Sequence, residues 1–144
     1  MNDKYWKVGV ASLIFALNSY IVTFGILPSI ALINSQRITS QSQLEKLLRE
    51  ERKKLSDGND DFIIEAELVA QDVGSSEKLK NGHYRIKMGG FVAKDSTLRH
   101  ELYHIFDGHI DDAASTPSKV LRSLKYFFVH EPQAVAYQAF GIRF

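Results

Sequence analysis

The chain has 144 residues, with 18 Lys and Arg against 17 Asp and Glu, a net charge of +1 and no cysteine. That length allows one domain with an appendage, and near-neutral charge with no basic cluster interleaved with aromatics excludes nucleic acid as an implied partner. The lack of thiols excludes a disulfide framework and any thiolate site.

Residues 8–33 carry no charged side chain, and the uncharged run extends to Gln36. A helix of that length, at about 1.5 Å per residue, is long enough to span a bilayer. Tyr5 and Trp6 stand where an interfacial aromatic anchor belongs, and Pro28 is expected to kink or end the helix. A signal peptide has a shorter apolar core, and a buried core helix needs more protein around it than the rest of the chain supplies. Residues 1–36 are therefore expected to form a single transmembrane anchor. Lys4 and Lys7 on one side, against Arg37, Lys46, Arg49, Arg52, Lys53 and Lys54 on the other, favour a single-pass protein with a cytoplasmic C-terminal domain.

Residues 37–60 read as a charged helical stalk or linker. The helix is expected over 40–55, with Ser42-Gln43-Leu44-Glu45 as a capping box and Leu44, Leu47, Leu48 and Leu55 on one face. It either holds the following domain off the bilayer or packs as that domain's first helix. Ser56-Asp57-Gly58-Asn59-Asp60 is a breaker and the best internal boundary.

Residues 61–144 then form the main domain, expected to be α+β. Apolar and polar residues alternate over 62–70 and again over 83–88, which predicts two short antiparallel strands. Gly74-Ser75-Ser76 and Asn81-Gly82 between them read as turns. A strand beside a cleft can pair with an extended peptide through its backbone, or simply cover the core.

His100-Glu101-Leu102-Tyr103-His104 is an HExxH motif, and it falls on a predicted helix over 96–106. Asp95, Ser96 and Thr97 are its cap candidates, and Leu98, Leu102 and Ile105 form its apolar stripe. Gly108 suits a left-handed stop. Residues four apart share a helix face, so His100 and His104 can point at one Zn²⁺. Glu101, beside them, can take a proton from zinc-bound water. His109 follows His104 at the wrong spacing for a three-histidine site. Glu131, 27 residues beyond His104, is the better third ligand, although Pro132 after it also suits a helix N-cap. One helix intervenes, capped by Ser115 or Thr116 with Pro117 in its first turn. Val120, Leu121, Leu124, Phe127 and Phe128 make its apolar face. A second, largely buried helix follows over 134–140.

At these residues the chain resembles the gluzincin group of zinc metallopeptidases in minimal, single-domain form. The segment 99–109 with Glu131-Pro132-Gln133-Ala134 carries the resemblance, which covers about 61–144. It is also similar to small HELxH peptidases that cleave phage or stress repressors. The resemblance implies a zincin-like fold, one catalytic Zn²⁺ on His100, His104 and Glu131, and Glu101 as general base. Many gluzincins carry Asp or Asn four residues after the ligand Glu, to support a ligating histidine. Val135 stands there, so Asp107, Asp111 or Asp112 must take that part, or the site is looser.

The expected function is a membrane-anchored zinc peptidase that hydrolyses peptide bonds of a peptide or protein substrate. A donor to the developing oxyanion is also needed. His109, His130, Tyr126 and Tyr137 are candidates, with Asp107 available behind them. The alternative is a catalytically inactive, membrane-tethered interaction module of the same fold. Val135 favours that alternative; an intact Glu101 opposes it.

Overall fold

The computed structural model describes residues 12–15, 17–56, 61–141 and 143. Tyr5, Trp6 and residues 57–60 of the expected breaker lie outside them. In chain order the elements are α1 (Leu27–Ile33), α2 (Gln41–Leu55), β1 (Ile64–Val69), β2 (Val73–Lys78), β3 (Tyr84–Gly89), α3 (Asp95–Phe106), α4 (His109–Ser115), α5 (Lys119–Lys125) and α6 (Glu131–Phe140). The α+β class holds.

Two prolines shape the helices in the same way. A π turn, Val22–Ile26, runs into α1, and Leu27 N–H bonds the Val22 carbonyl five residues back. A second π turn, Tyr126–His130, runs into α6, and Glu131 N–H bonds the Tyr126 carbonyl. Each turn is followed by a proline in the first turn of the next helix, Pro28 and Pro132. Proline cannot donate, and its ring crowds the carbonyl four residues back. Widening the turn before it relieves that crowding without ending the helix.

No helix among the described residues is long and apolar enough to cross a membrane. The expected transmembrane anchor, and the single-pass localisation drawn from it, are thereby overturned. Hydropathy alone hid the physical reason, which is that the C-terminal part of the apolar run is committed to the domain. α1 packs on α6 and touches α3, and Ala31 is buried there. Lys94 Nζ donates to the Leu32 carbonyl. Beyond α1, Ile38 N–H bonds Ala93 O at 2.8 Å and Asp95 N–H bonds Gln36 O at 3.0 Å, which staples this segment to the start of α3.

α2 packs against β1 and α3. Its Leu44 and Leu55 are 0% and 1% exposed, within the same core as Ile86, Met88, Leu98 and Leu102. The cap lies two residues before the expected box. Ser40 Oγ accepts from Gln43 N–H at 3.2 Å, and Gln43 Oε1 accepts from Thr39 N–H at 3.0 Å. Gln at the third position serves as well as Glu.

Among the described residues the sheet has three strands in the order β1-β3-β2. β3 is parallel to β1 and antiparallel to β2. The expectation of two antiparallel strands is corrected on both counts. Gly74-Ser75-Ser76 lies inside β2, where its composition reads as a turn. It is an outer strand facing a cleft, so packing does not demand apolar alternation there. Asn81-Gly82 does turn, with Gly82 N–H bonding Leu79 O at 3.0 Å.

α3 begins at Asp95, one residue early, and its N-cap position is Lys94, which makes no side-chain cap bond. Asp95 Oδ1 instead accepts from Ser96 N–H and Gln36 N–H, at 2.8 and 2.9 Å. Gly108, at φ +69°, leads directly into α4. α5 starts at Lys119 with Ser118 as its cap, at 3.3 Å to Leu121 N–H. Ser115, Thr116 and Pro117 precede it. The expected apolar face lies in solvent, with Val120 of α5 70% exposed and Phe128, in the π turn that follows, 72%.

Because Leu44 is sealed between the sheet and α3, Leu44→Ala is expected to cost about 2–5 kcal/mol, the range for a buried Leu truncated to Ala. Urea unfolding of the full chain checks this. An unchanged midpoint would mean that α2 stands apart from the domain.

Candidate metal centre

α3 supplies His100 and His104, one turn apart, and α6 packs across it. Small Ala134, fully buried in α6, belongs to the shared core. The π turn then delivers Glu131 at the start of α6, facing the two histidines. Helical backbone continues through His130 into Glu131, so Glu131 is no N-cap.

His100 Nε2 and His104 Nε2 stand 3.1 Å apart. Glu131 Oε2 is 3.5 Å from His100 Nε2, and Oε1 is 3.2 Å from His104 Nε2. One ligand atom from each residue lies within 4.8 Å of the others, so the three could hold a metal ion. Glu131 Oε1 is buried and lacks a hydrogen-bond partner despite its 3.2 Å contact with His104. That contact is close in distance but lacks hydrogen-bonding direction. A buried carboxylate oxygen without a donor is costly, and a cation among the three residues would satisfy it.

Burial would raise the Glu131 carboxyl, but His100, His104 and Tyr126 beside it hold it far below the usual range. Burial would likewise lower His100, but Glu131, Glu101 and Gln138 outweigh it and raise that imidazole. The anionic carboxylate is the form a metal requires.

Glu101 sits on the same helix and is not one of the three converging groups. Its Oε2 accepts from Ser76 Oγ of β2 at 2.7 Å. A cleft of about 290 Å³ opens here, lined by Ser75, Ser76, Glu101, His104, His109 and Tyr126 among others.

Behind His104 lies a relay of polar groups. His104 Nδ1 is 3.0 Å from His109 Nδ1, and His109 Nε2 is 3.2 Å from Asp107 Oδ2. With His109 Nε2–H given to Asp107, its Nδ1 accepts the His104 Nδ1–H. The His104 Nε2 lone pair is then left for the metal side. His109 and His130 stack at 4.2 Å and 6°, and His130 Nε2 is 3.0 Å from Asp112 Oδ2. Burial, then the neighbouring His130 and His104, push His109 down to about 4, against the pull of Asp107 and Gln133. Burial also lowers His130.

The other sequence candidates separate cleanly. Tyr126 lies over His104, ring centroids 6.1 Å apart, and burial followed by Glu131 pushes its phenol pKa strongly upward. Tyr137 is 4% exposed and packs on Tyr103 in the core, away from the cleft. Asp111 is held by Lys78 and Tyr84, each at 2.7 Å. Asp107 therefore supports His104 through His109, and Asp112 supports His130. Val135 is buried at 3%. Gln138, one turn further along the same face, is the group beside His100. Ser76 and Gln138 were missed in the sequence. Gln138 stands seven residues after Glu131, two turns on, a spacing that signals a shared face; nothing marked Ser76.

No protein-family model, no curated protein and no solved structure matches this chain.

His109 is held neutral in the fold while its unfolded pKa is near 6.5, so the unfolded chain binds the extra proton between about pH 6.5 and 4. Stability of the metal-free protein is therefore expected to fall as pH drops through that window. Urea midpoints measured across it should show a shallower slope for His109→Gln. An equal slope would remove His109 as the titrating group.

Proposed function

We propose that this protein is a zinc-dependent peptidase of the gluzincin type, with His100, His104 and Glu131 holding the metal and Glu101 acting as general base. The observation that carries it is the convergence of two imidazole Nε2 atoms and one buried carboxylate, with a second carboxylate beside them that does not join. Tetrahedral zinc with ligands at about 2.0–2.1 Å separates them by roughly 3.3–3.4 Å. The two Nε2 atoms, 3.1 Å apart, are close to that spacing, and each faces a different oxygen of Glu131, Oε1 at 3.2 Å from His104 and Oε2 at 3.5 Å from His100. Zinc, when bound, supplies a Lewis acid that polarises a carbonyl and makes water acidic enough to be a nucleophile near neutral pH.

The remaining roles belong to the chain itself. Glu101 takes a proton from the attacking water and passes it to the leaving amine. Ser76 holds that carboxylate by one hydrogen bond, leaving its other oxygen available. Tyr126 keeps its proton, because burial and Glu131 both oppose its loss. In this reading it is the donor that would meet the developing oxyanion. His109 and Asp107 hold His104 in the tautomer that ligates. β2, the outer strand of the sheet, offers its backbone to an extended substrate lying in the cleft. A site used only to hold structure together needs neither Glu101 nor an open cleft.

Glu101→Gln is expected to lower turnover of a mixed peptide library by about 10²–10⁴-fold, with bound zinc and thermal stability unchanged. Glu131→Gln is expected to lose zinc affinity along with activity, because an amide binds zinc less well than a carboxylate. Turnover by Glu101→Gln equal to that of the wild type would end the proposal.

A further inference from the structure

A second cavity, of about 200 Å³, opens on the other side of Glu101 from the cleft. The two share Gly74 and Glu101, so they meet at the reacting centre. Gly74 is the saddle between them. A Cβ there would stand 2.6 Å from Thr97 Cγ2 and 3.7 Å from Glu101 Oε1, so a larger residue would crowd the junction unless Thr97 shifts.

The second cavity is walled by Leu32, Val92 and Thr97, with His100 and Gln138 behind. It is smaller than a pocket that encloses a whole ligand, typically about 300–1,000 Å³, and fits a single side chain. Its exposed surface is more apolar than polar, although Thr97, His100, Glu101 and Gln138 line it beside Leu32 and Val92. Gln138, the buried amide at its back, is engaged with His100. An acidic side chain would meet Glu101 with like charge, and a basic one would pair with Glu101 and occupy the base.

Leu32 comes from the apolar run at the start of the chain, far in sequence from the motif. It is not placed there loosely. Lys94 holds its carbonyl, and the Ile38–Ala93 and Gln36–Asp95 backbone bonds pin the segment that follows. The wall is thus part of the same framework that starts α3.

We infer that this cavity is a specificity subsite which takes an apolar side chain, up to about leucine in size, from a substrate residue flanking the cleaved bond, and that Leu32 sets its depth. The inference rests on the peptidase function proposed above. It assigns a task to α1: the apolar segment closes the substrate cleft.

The test uses the full chain loaded with zinc and a peptide library randomised around the scissile bond, with fragments identified by mass spectrometry. Wild type is expected to select Leu, Met or Val at one position flanking the cut. Leu32→Ala should deepen the site and raise kcat/KM for Phe relative to Leu there by about tenfold or more, the low end of what one or more methylenes of pocket are worth. Leu32→Phe should shallow it and shift preference toward Ala by a similar factor. Val92→Ala, on the facing wall, should move the profile in the same direction as Leu32→Ala, which guards against misfolding of either variant. Selection at the other flanking position should not move. Unchanged preference at both flanking positions in these variants, or selection of a charged residue by wild type, overturns the subsite while leaving the peptidase standing. Zinc-loaded wild type that cleaves no peptide overturns both.

Discussion

A carboxylate buried against two imidazoles is the constraint on which this structure turns. Glu131 lies where solvent cannot reach its Oε1 atom and where no hydrogen bond serves it. Such a group is tolerated only if positive charge or a metal compensates its lost hydration. His100 and His104 provide the partial answer in the protein alone, and a shared cation would provide the full one. The packing around it keeps all three in place. α6 must cross α3 closely, which the small, fully buried Ala134 permits. The π turn before Pro132 rotates Glu131 onto the face that meets the histidines. The stacked pair His109 and His130 braces His104 from behind.

The same arrangement separates tasks between two carboxylates on neighbouring elements. Glu131 is partly buried, with its Oε1 out of reach of solvent, and is held far below its ordinary pKa by its neighbours, which suits a ligand. Glu101 is tied to a serine hydroxyl at the lip of the cleft, which suits a group that must exchange protons with water. Environment, more than residue type, sets the difference. Buried Val135 brings no polar group to the histidines; His109 with Asp107 stands behind His104, and Gln138 stands beside His100.

Much of the site was legible because its chemistry is local. His100, Glu101 and His104 sit at helical spacing, and that spacing fixes their common face whatever surrounds them. Glu131 was legible by elimination, since the chain has no Asp or Glu beyond Asp112 other than Glu131. What failed to show was tertiary. The uncharged run reads as a membrane anchor because hydropathy measures composition, whereas Ala31 is buried where α1 packs on α6 and Leu32 lines the second cavity. β2 reads as a turn because Gly74-Ser75-Ser76 lacks the alternation that burial imposes on inner strands. The apolar face of α5 and of the π turn after it reads as core, yet Val120 and Phe128 lie in solvent. The cap of α2 was placed two residues late because Glu45 resembled the box partner that Gln43 supplies.

Zinc binding by His100, His104 and Glu131 is the proposal from which the other roles follow. X-ray absorption at the zinc edge, on the full chain with metal content quantified in parallel, tests it most directly. About one zinc per chain is expected, in a shell of nitrogen and oxygen at about 2.0–2.1 Å, with imidazole scattering from two histidines and no sulfur, and His104→Ala is expected to lose that shell. A chain that takes up no zinc, or one whose zinc shell is the same in His100→Ala and His104→Ala as in wild type, would contradict it.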